Sequence, residues 1–399
     1  PFGCTFTATP SGDQPACSAE QIDERLDAAY DMGVRQMELV NKFDNALSGV
    51  TGDAGEVGVV VNNAQFNETK SYWDMRHCEP EHPAAHDKNQ LAFPEMDAQQ
   101  QDALFGAVAQ VFGQQKIGPV YPPPDHCNTR GLTDLGTHLV ERLAERGVLI
   151  DPDHMSVKAR NSLLDQVEDL GYSGVMSSHS WSTEDAYPRI YELGGYIAPY
   201  AGDSTGFVEK WRKHLEWADD RYYFGFGYGA DMNGLGAQGN ARGADVPNPV
   251  TYPFEGLGGV TVSKQTAGER TWDINTDGVA QYGLYPDWIE DLRMVAGADG
   301  DAIVDDMARG AEAYLQTWER AVGIAPDSCR NPGLRKSVAT VRDLVQPGMS
   351  TRQVMKQVGQ PFRRLGNDYT FCARTAGDDE VKMVVTFSDG GRVTGLSRR

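Results

Sequence analysis

The chain has 399 residues, 40% of them hydrophobic, enough to bury a core in one large domain plus a small one. Its 57 acidic and 36 basic residues leave a net charge of −21. Phosphate backbones are repelled by such a surface, which excludes nucleic acid as a partner class. No apolar run reaches the roughly 18 residues of a membrane-spanning helix, and Pro1–Cys4 has neither the basic nor the apolar region of a signal peptide.

In chain order, residues 1–62 read as loop, helix and strand. Ser18–Met32 forms an amphipathic helix with a Ser18/Gln21 capping box, ended by Gly33, and Arg35–Val40 is a short strand. Residues 63–130 lack periodicity and read as an irregular insertion, apart from a helix at Ala98–Phe112. From Gly131 short apolar strands alternate with amphipathic helices. Helix Thr133–Arg146 precedes strand Val148–Ile150, and helix Val157–Leu170 precedes strand Gly174–Met176. Helix Asp185–Leu193 precedes strand Tyr196–Ala198, and helix Gly206–Ala218 precedes strand Tyr223–Gly227. This alternation predicts a parallel α/β sheet, and a long helix is expected at Asp301–Val322. Pro326–Pro332 reads as a linker. Residues 335–399 read as a small α+β domain of two helices and three strands, with a Gly390-Gly391 turn.

The six cysteines fall into three sequence neighbourhoods and include no CxxC pair, which argues against a zinc knuckle. Local disulfides Cys4–Cys17, Cys78–Cys127 and Cys329–Cys372 are expected, and with them a secreted or cell-envelope location. Buried free thiols in a cytosolic protein are the competing reading.

Three strands run into polar clusters. Val148–Ile150 leads to Asp151-Pro152-Asp153-His154, Gly174–Met176 to Ser177-Ser178-His179, and Tyr223–Gly227 to Gly229-Ala230-Asp231. In a (β/α) barrel, functional groups gather at the C-terminal ends of the strands. Neutral imidazoles bind Zn²⁺, and a nearby carboxylate can carry the proton released by an attacking water. A lone strand-end His is more often an ordinary loop residue, and Asp in a Gly-rich loop is usually a turn former, so the inference rests on the three together. His77, His82, His86 and His126 read as solvated loop histidines, and His138 and His214 as structural ones.

The run from Gly131-Leu132-Thr133 to Asp151-Pro152-Asp153-His154-Met155-Ser156 resembles the membrane (renal) dipeptidase pattern "GLT..G...v..l...G..iDlaHvS". Ser178-His179-Ser180 resembles its "SHS", Gly227–Gly234 its "GxGGDFDG", and Gly33–Asn45 its "GvRyltLtHn..N". Tyr285-Pro286-Asp287 and the helix after it resemble the closing segment. The likeness covers roughly residues 20–62 and 130–323. It implies a TIM-type metal-dependent hydrolase barrel over residues 1–325 with two zinc ions, acting on a dipeptide or related small amide. It implies His154 and His179 as metal ligands, Asp231 as the catalytic proton carrier, and Arg189 as the residue that holds the substrate carboxylate.

There are three departures from the pattern. The family's first-strand His-x-Asp and its metal-bridging Glu are absent, and the chain begins where the residue after that Glu would lie. The first barrel strands are therefore expected in sequence upstream of Pro1. Asn41 replaces a substrate-contacting His; it can still donate a hydrogen bond but carries no charge. Asn233 replaces the second Asp of "DFD". In the tail, Pro347-Gly348-Met349-Ser350, Gly359-Gln360-Pro361 and Gly391-Arg392-Val393 are similar to BamE-like small envelope domains, which implies docking to an envelope partner or a second copy. The alternatives to a zinc dipeptidase are a hydrolase of another amide, ester or lactone, and a catalytically silent barrel used for binding or assembly.

Overall fold

The computed structural model describes residues 2–90, 119, 121–232 and 238–399; the expected helix Ala98–Phe112 and Asn233 lie outside them. Strands β1 (Phe6–Thr9) and β2 (Gly12–Pro15) form a hairpin closed by the Cys4–Cys17 disulfide. Every β2 side chain is exposed, so no apolar alternation marks this hairpin in the sequence. Helix α1 (Ala19–Asp31) starts at the Ser18/Gln21 capping box and buries Ile22, Leu26 and Ala29, one face at helical spacing. Strand β3 (Gln36–Glu38) follows.

Helix α2 (Gly55–Thr69) has no counterpart in the sequence reading, because its pattern is inverted. Asn62, Gln65 and Thr69 are buried, while Val57 and Val60 face solvent. Gln65 reads out Asp44 twice, accepting its backbone N–H at 2.7 Å and donating to its Oδ2 at 3.0 Å. Asn62 accepts the Trp73 N–H at 2.9 Å and donates to Tyr121. Such a helix is anchored by hydrogen bonds rather than by an apolar stripe. Strands β4 (Met75–His77) and β5 (His126–Asn128) pair antiparallel, with the Cys78–Cys127 disulfide beside them. The stretch expected to be irregular is therefore partly ordered at both ends.

Helix α3 (Asp134–Glu145), capped by Thr133, leads to β6 (Leu149–Asp151). Helix α4 (Val157–Asp169) leads to β7 (Met176–Ser177), and α5 (Ala186–Glu192) to β8 (Tyr196–Ile197); α6 (Ser204–Trp217) comes next. Strand β3 pairs parallel with β6, Ile150 bridges in parallel to Val175, β7 pairs parallel with β8, and Tyr200 bridges in parallel to Gly229. These pairings make an arc, a half-barrel among the described residues, where the sequence reading expected a TIM-type barrel lacking its first strands. The expected strand Tyr223–Gly227 joins the arc only through its end. The Phe226 N–H donates instead to the Asp306 carbonyl at 2.9 Å.

After α7 (Tyr285–Ala296), the long helix expected at Asp301–Val322 is two, α8 (Gly300–Ala308) and α9 (Gly310–Ala321). They meet at Arg309. A Cβ on Gly225 would lie 2.4 Å from the Arg309 carbonyl oxygen, so the break falls where another backbone segment presses against the helix.

The C-terminal sheet contains β9 (Lys336–Ser337), β10 (Arg363–Leu365), β11 (Asp368–Arg374), β12 (Glu380–Phe387) and β13 (Val393–Arg398) in the order β9-β11-β12-β13, with β10 also on β11. Helices α10 (Val338–Leu344) and α11 (Thr351–Val358) contribute Val341 and Val354 to a core with Phe371 and Val385. The segment read as a linker is pinned down. Asp327 and Ser328 are buried, Ser328 Oγ donates to the Cys372 carbonyl at 2.8 Å, and Cys329–Cys372 is bridged. All three expected disulfides form.

Candidate metal centre

The strands of the arc end where the polar residues begin. Glu38 closes β3 and Asp151 closes β6, with Asp153 and His154 in the turn beyond it; His179 lies two residues past β7. Alternation along β3 puts Gln36 and Glu38 on one face. Gln36 donates to Asp151 Oδ2 at 3.3 Å, and Asn41 donates to Glu38 Oε2 at 3.1 Å. His154 has φ +65°, a left-handed conformation that costs a side-chain-bearing residue about 1–3 kcal/mol. The turn is held by the Thr51 N–H, which donates to the His154 carbonyl at 2.8 Å, and by the Val50–Met155 bridge. A Cβ on Gly229 would lie 2.1 Å from the Ser178 carbonyl oxygen. Only glycine lets the last segment come this close to the His179 turn.

Here His154 Nε2 faces His179 Nε2 at 2.8 Å, and one ligand atom each from Glu38, His154 and His179 lies within 4.8 Å of the others. Both histidines are buried. The His154 ring stacks on Trp181 at 4.6 Å, and the ammonium groups of Lys42 and Lys88 lie 4.3 and 4.8 Å from the Trp181 ring. Behind His179 stands the fully buried Asp153. Its Oδ2 accepts the His179 backbone N–H at 2.9 Å and lies 3.3 Å from ring Nδ1, while Oδ1 accepts from Ser177 at 2.8 Å and Ser182 at 3.0 Å.

Burial, helped by the charges of His179 and Lys42, drives the His154 pKa down to about 3, so its imidazole is neutral. Burial would also lower His179, but the hydrogen bond and charge of Asp153, with Glu38 and Asp231 adding to them, raise it instead. Burial would raise Asp153, yet its bonds to His179 and Ser177 hold it below the ordinary aspartate value. Asp151 is pushed well up by burial and by Asp153 and Glu38. Glu38 is raised chiefly by burial, with Asp153 and Asp231 contributing.

These groups fit a divalent cation. With Nδ1 of His179 held between Ser178 Oγ at 2.8 Å and Asp153 Oδ2 at 3.3 Å, its Nε2 is left to face His154 Nε2, where a ring proton or a metal ion can lie between the two. The carboxylate–histidine pair is the usual support behind a metal ligand. Two ligands at about 2.1 Å from a tetrahedral ion stand roughly 3.4 Å apart, so the rings need to open only slightly. His154 Nδ1 has no hydrogen-bond partner among the described residues, so the ring is held through Nε2 and its stack on Trp181.

His154 and His179 are thus brought together. Asp231, with φ +41°, stands at the same rim, and its charge acts on His179, Glu38 and Tyr200. Asn41 is beside Glu38. Arg189 is placed elsewhere: from α5 its guanidinium reaches Glu168 at 2.7 Å and Asp165 at 2.6 Å, both on α4. Those carboxylates engage its Nε and Nη2 and hold it against α4. The sequence reading missed Glu38, Asp153 and Trp181. A signal for Glu38 existed, since Gln36 and Glu38 are polar at every second position between the apolar Met37 and Leu39.

The fold and site together define an α/β scaffold that carries a His–His–carboxylate cluster at the C-terminal ends of parallel strands. No family model matches the chain, and no curated protein matches it. Among solved structures it is similar to an amidohydrolase from Pseudomonas aeruginosa, at 13% identity over 76% of this chain and 84% of that one, with a TM-score of 0.30. A likeness this loose carries no argument about chemistry, and the site stands on its own geometry.

Proposed function

We propose that this protein is a metal-dependent hydrolase acting on a dipeptide or a related small amide, with zinc held by Glu38, His154 and His179. The observation that carries this reading is the convergence of those three side chains, with Asp153 behind His179. When bound, such an ion supplies Lewis acidity and activates water at neutral pH. The chain's own residues do the rest. Asp153 fixes the His179 ring, and Trp181 walls off one face of His154. Asp231 takes a proton from the attacking water and returns it to the leaving amine, a role worth typically about 10²–10⁴-fold. Asn41 can donate to a substrate carbonyl, although its amide now engages Glu38. That engagement favours the second reading, a silent barrel used for binding, because it occupies one oxygen of a ligand carboxylate. The three disulfides support residence outside the cytoplasm, and docking is the role proposed for a C-terminal domain at 335–399.

Metal analysis of the purified full chain, paired with a ninhydrin assay on simple dipeptides, tests the proposal. The expected result is bound metal that His154→Ala and His179→Ala abolish, with Asp231→Asn retaining metal while turnover collapses. A metal-free protein that stays inactive when zinc is supplied would establish the silent barrel instead.

A further inference from the structure

Trp181 belongs to two places at once. It stacks on His154, and it also lines a cavity of about 290 Å³ into which Lys88, Lys210 and Lys213 project. Lys213 is paired with Glu184 at 2.6 Å. The nearby Asp53 is taken by Lys42 at 2.9 Å. Asp87, also in the wall, is buried and accepts the backbone N–H groups of Asn128 and Val157. Among the described residues, no carboxylate lies within ion-pair distance of the Lys88 or Lys210 ammonium groups. Both lysines are open to solvent, yet desolvation by the walls lowers the pKa of each, and the charge of Lys88 lowers Lys210 further. In a chain with a net charge of −21, two cations with no carboxylate at ion-pair distance in one concavity run against the composition, although Asp53 and Asp87 act on Lys88 from further off. Such local fields concentrate ions of the opposite sign.

We propose that this cavity binds a doubly charged oxyanion, a phosphate or the paired carboxylates of a dicarboxylate, between Lys88 and Lys210. Two ammonium groups without a direct ion-pair partner match two negative charges, and the shared Trp181 wall places that anion next to the His154–His179 cluster. The assignment of the anion to a substrate rests on the hydrolase reading, and makes the substrate a small amide with a dianionic end. Binding of the anion itself does not depend on that reading.

Calorimetric titration of the metal-free full chain with inorganic phosphate, glutarate and acetate tests it. Glutarate or phosphate is expected to bind at least about tenfold tighter than acetate, and less tightly as salt rises. Lys88→Gln and Lys210→Gln should each weaken that binding about tenfold, and Lys88→Arg should retain it. Thermal melts verify that each variant is folded. Preference for phosphate over glutarate, or the reverse, identifies the source of the anion. Acetate binding as tightly as both dianions, or folded Lys88→Gln and Lys210→Gln proteins that bind like the parent, would overturn the site. Metal content and turnover are read separately, so anion binding without turnover removes the hydrolase reading and leaves the site intact.

Discussion

Asp153 grips His179 at two points: its Oδ2 accepts the backbone N–H at 2.9 Å and lies 3.3 Å from ring Nδ1. The carboxylate therefore sets both where the His179 turn sits and which ring nitrogen is left to face His154. Replacing Asp153 by Asn keeps the size and one acceptor but removes the charge. Metal affinity, measured by competition with a chelator, should fall about 10–100-fold. Affinity within twofold of the parent would show that Asp153 is only a scaffold residue.

The inverted helix α2 makes a paired prediction. Gln65→Leu leaves the buried Asp44 without two of its partners and should cost about 1–3 kcal/mol for each unsatisfied group. Val60→Lys places a charge at a site that is 70% exposed and should stay within about 0.5 kcal/mol. Urea melts of the two variants should rank them in that order. The reverse order would contradict the helix orientation.

His214 governs part of the acid stability. Burial, with Lys210 and Lys213 adding, lowers its pKa from 6.5 to about 3, while its Nδ1 meets the Tyr191 hydroxyl at 3.1 Å. The unfolded chain binds a proton there below about pH 6.5 and the folded chain does not until about pH 3, so this group's contribution is whole above pH 6.5 and is lost as pH falls toward 3. His154 moves in the same direction, so only a variant isolates His214. Between pH 6.5 and 5, His214→Gln should gain about 2 kcal/mol relative to the parent. A stability difference independent of pH would mean that His214 takes up its proton at the same pH folded and unfolded.

The Cys329–Cys372 disulfide closes 43 residues of chain. Chain-entropy arguments put its contribution at about 4 kcal/mol. Replacing both cysteines by Ser should lower the melting temperature of the C-terminal sheet by several degrees and expose its core to hydrogen exchange. Exchange at Phe371 and Val385 identical to that of the parent would show that packing alone holds this sheet.

Local features were legible in the sequence. The capping box at Ser18, the Thr133 cap, the strands ending at His154 and His179, and three neighbourly cysteine pairs all depend on residues close in the chain, where spacing alone carries the signal. The tertiary structure decided what depends on facing across space. Glu38 joins the cluster because β3 lies parallel to β6 in a register that sets Glu38 opposite Asp151. Arg189 leaves it because the α4 carboxylates Asp165 and Glu168 reach its guanidinium first. Helix α2 turns its polar face inward because Asp44 and Trp73 wait there with unsatisfied hydrogen-bonding groups. Lys88 and Lys210, more than a hundred residues apart, meet in one cavity that no spacing rule could foretell. Periodicity tells which residues share a face of one element; only the packing of elements tells what that face meets.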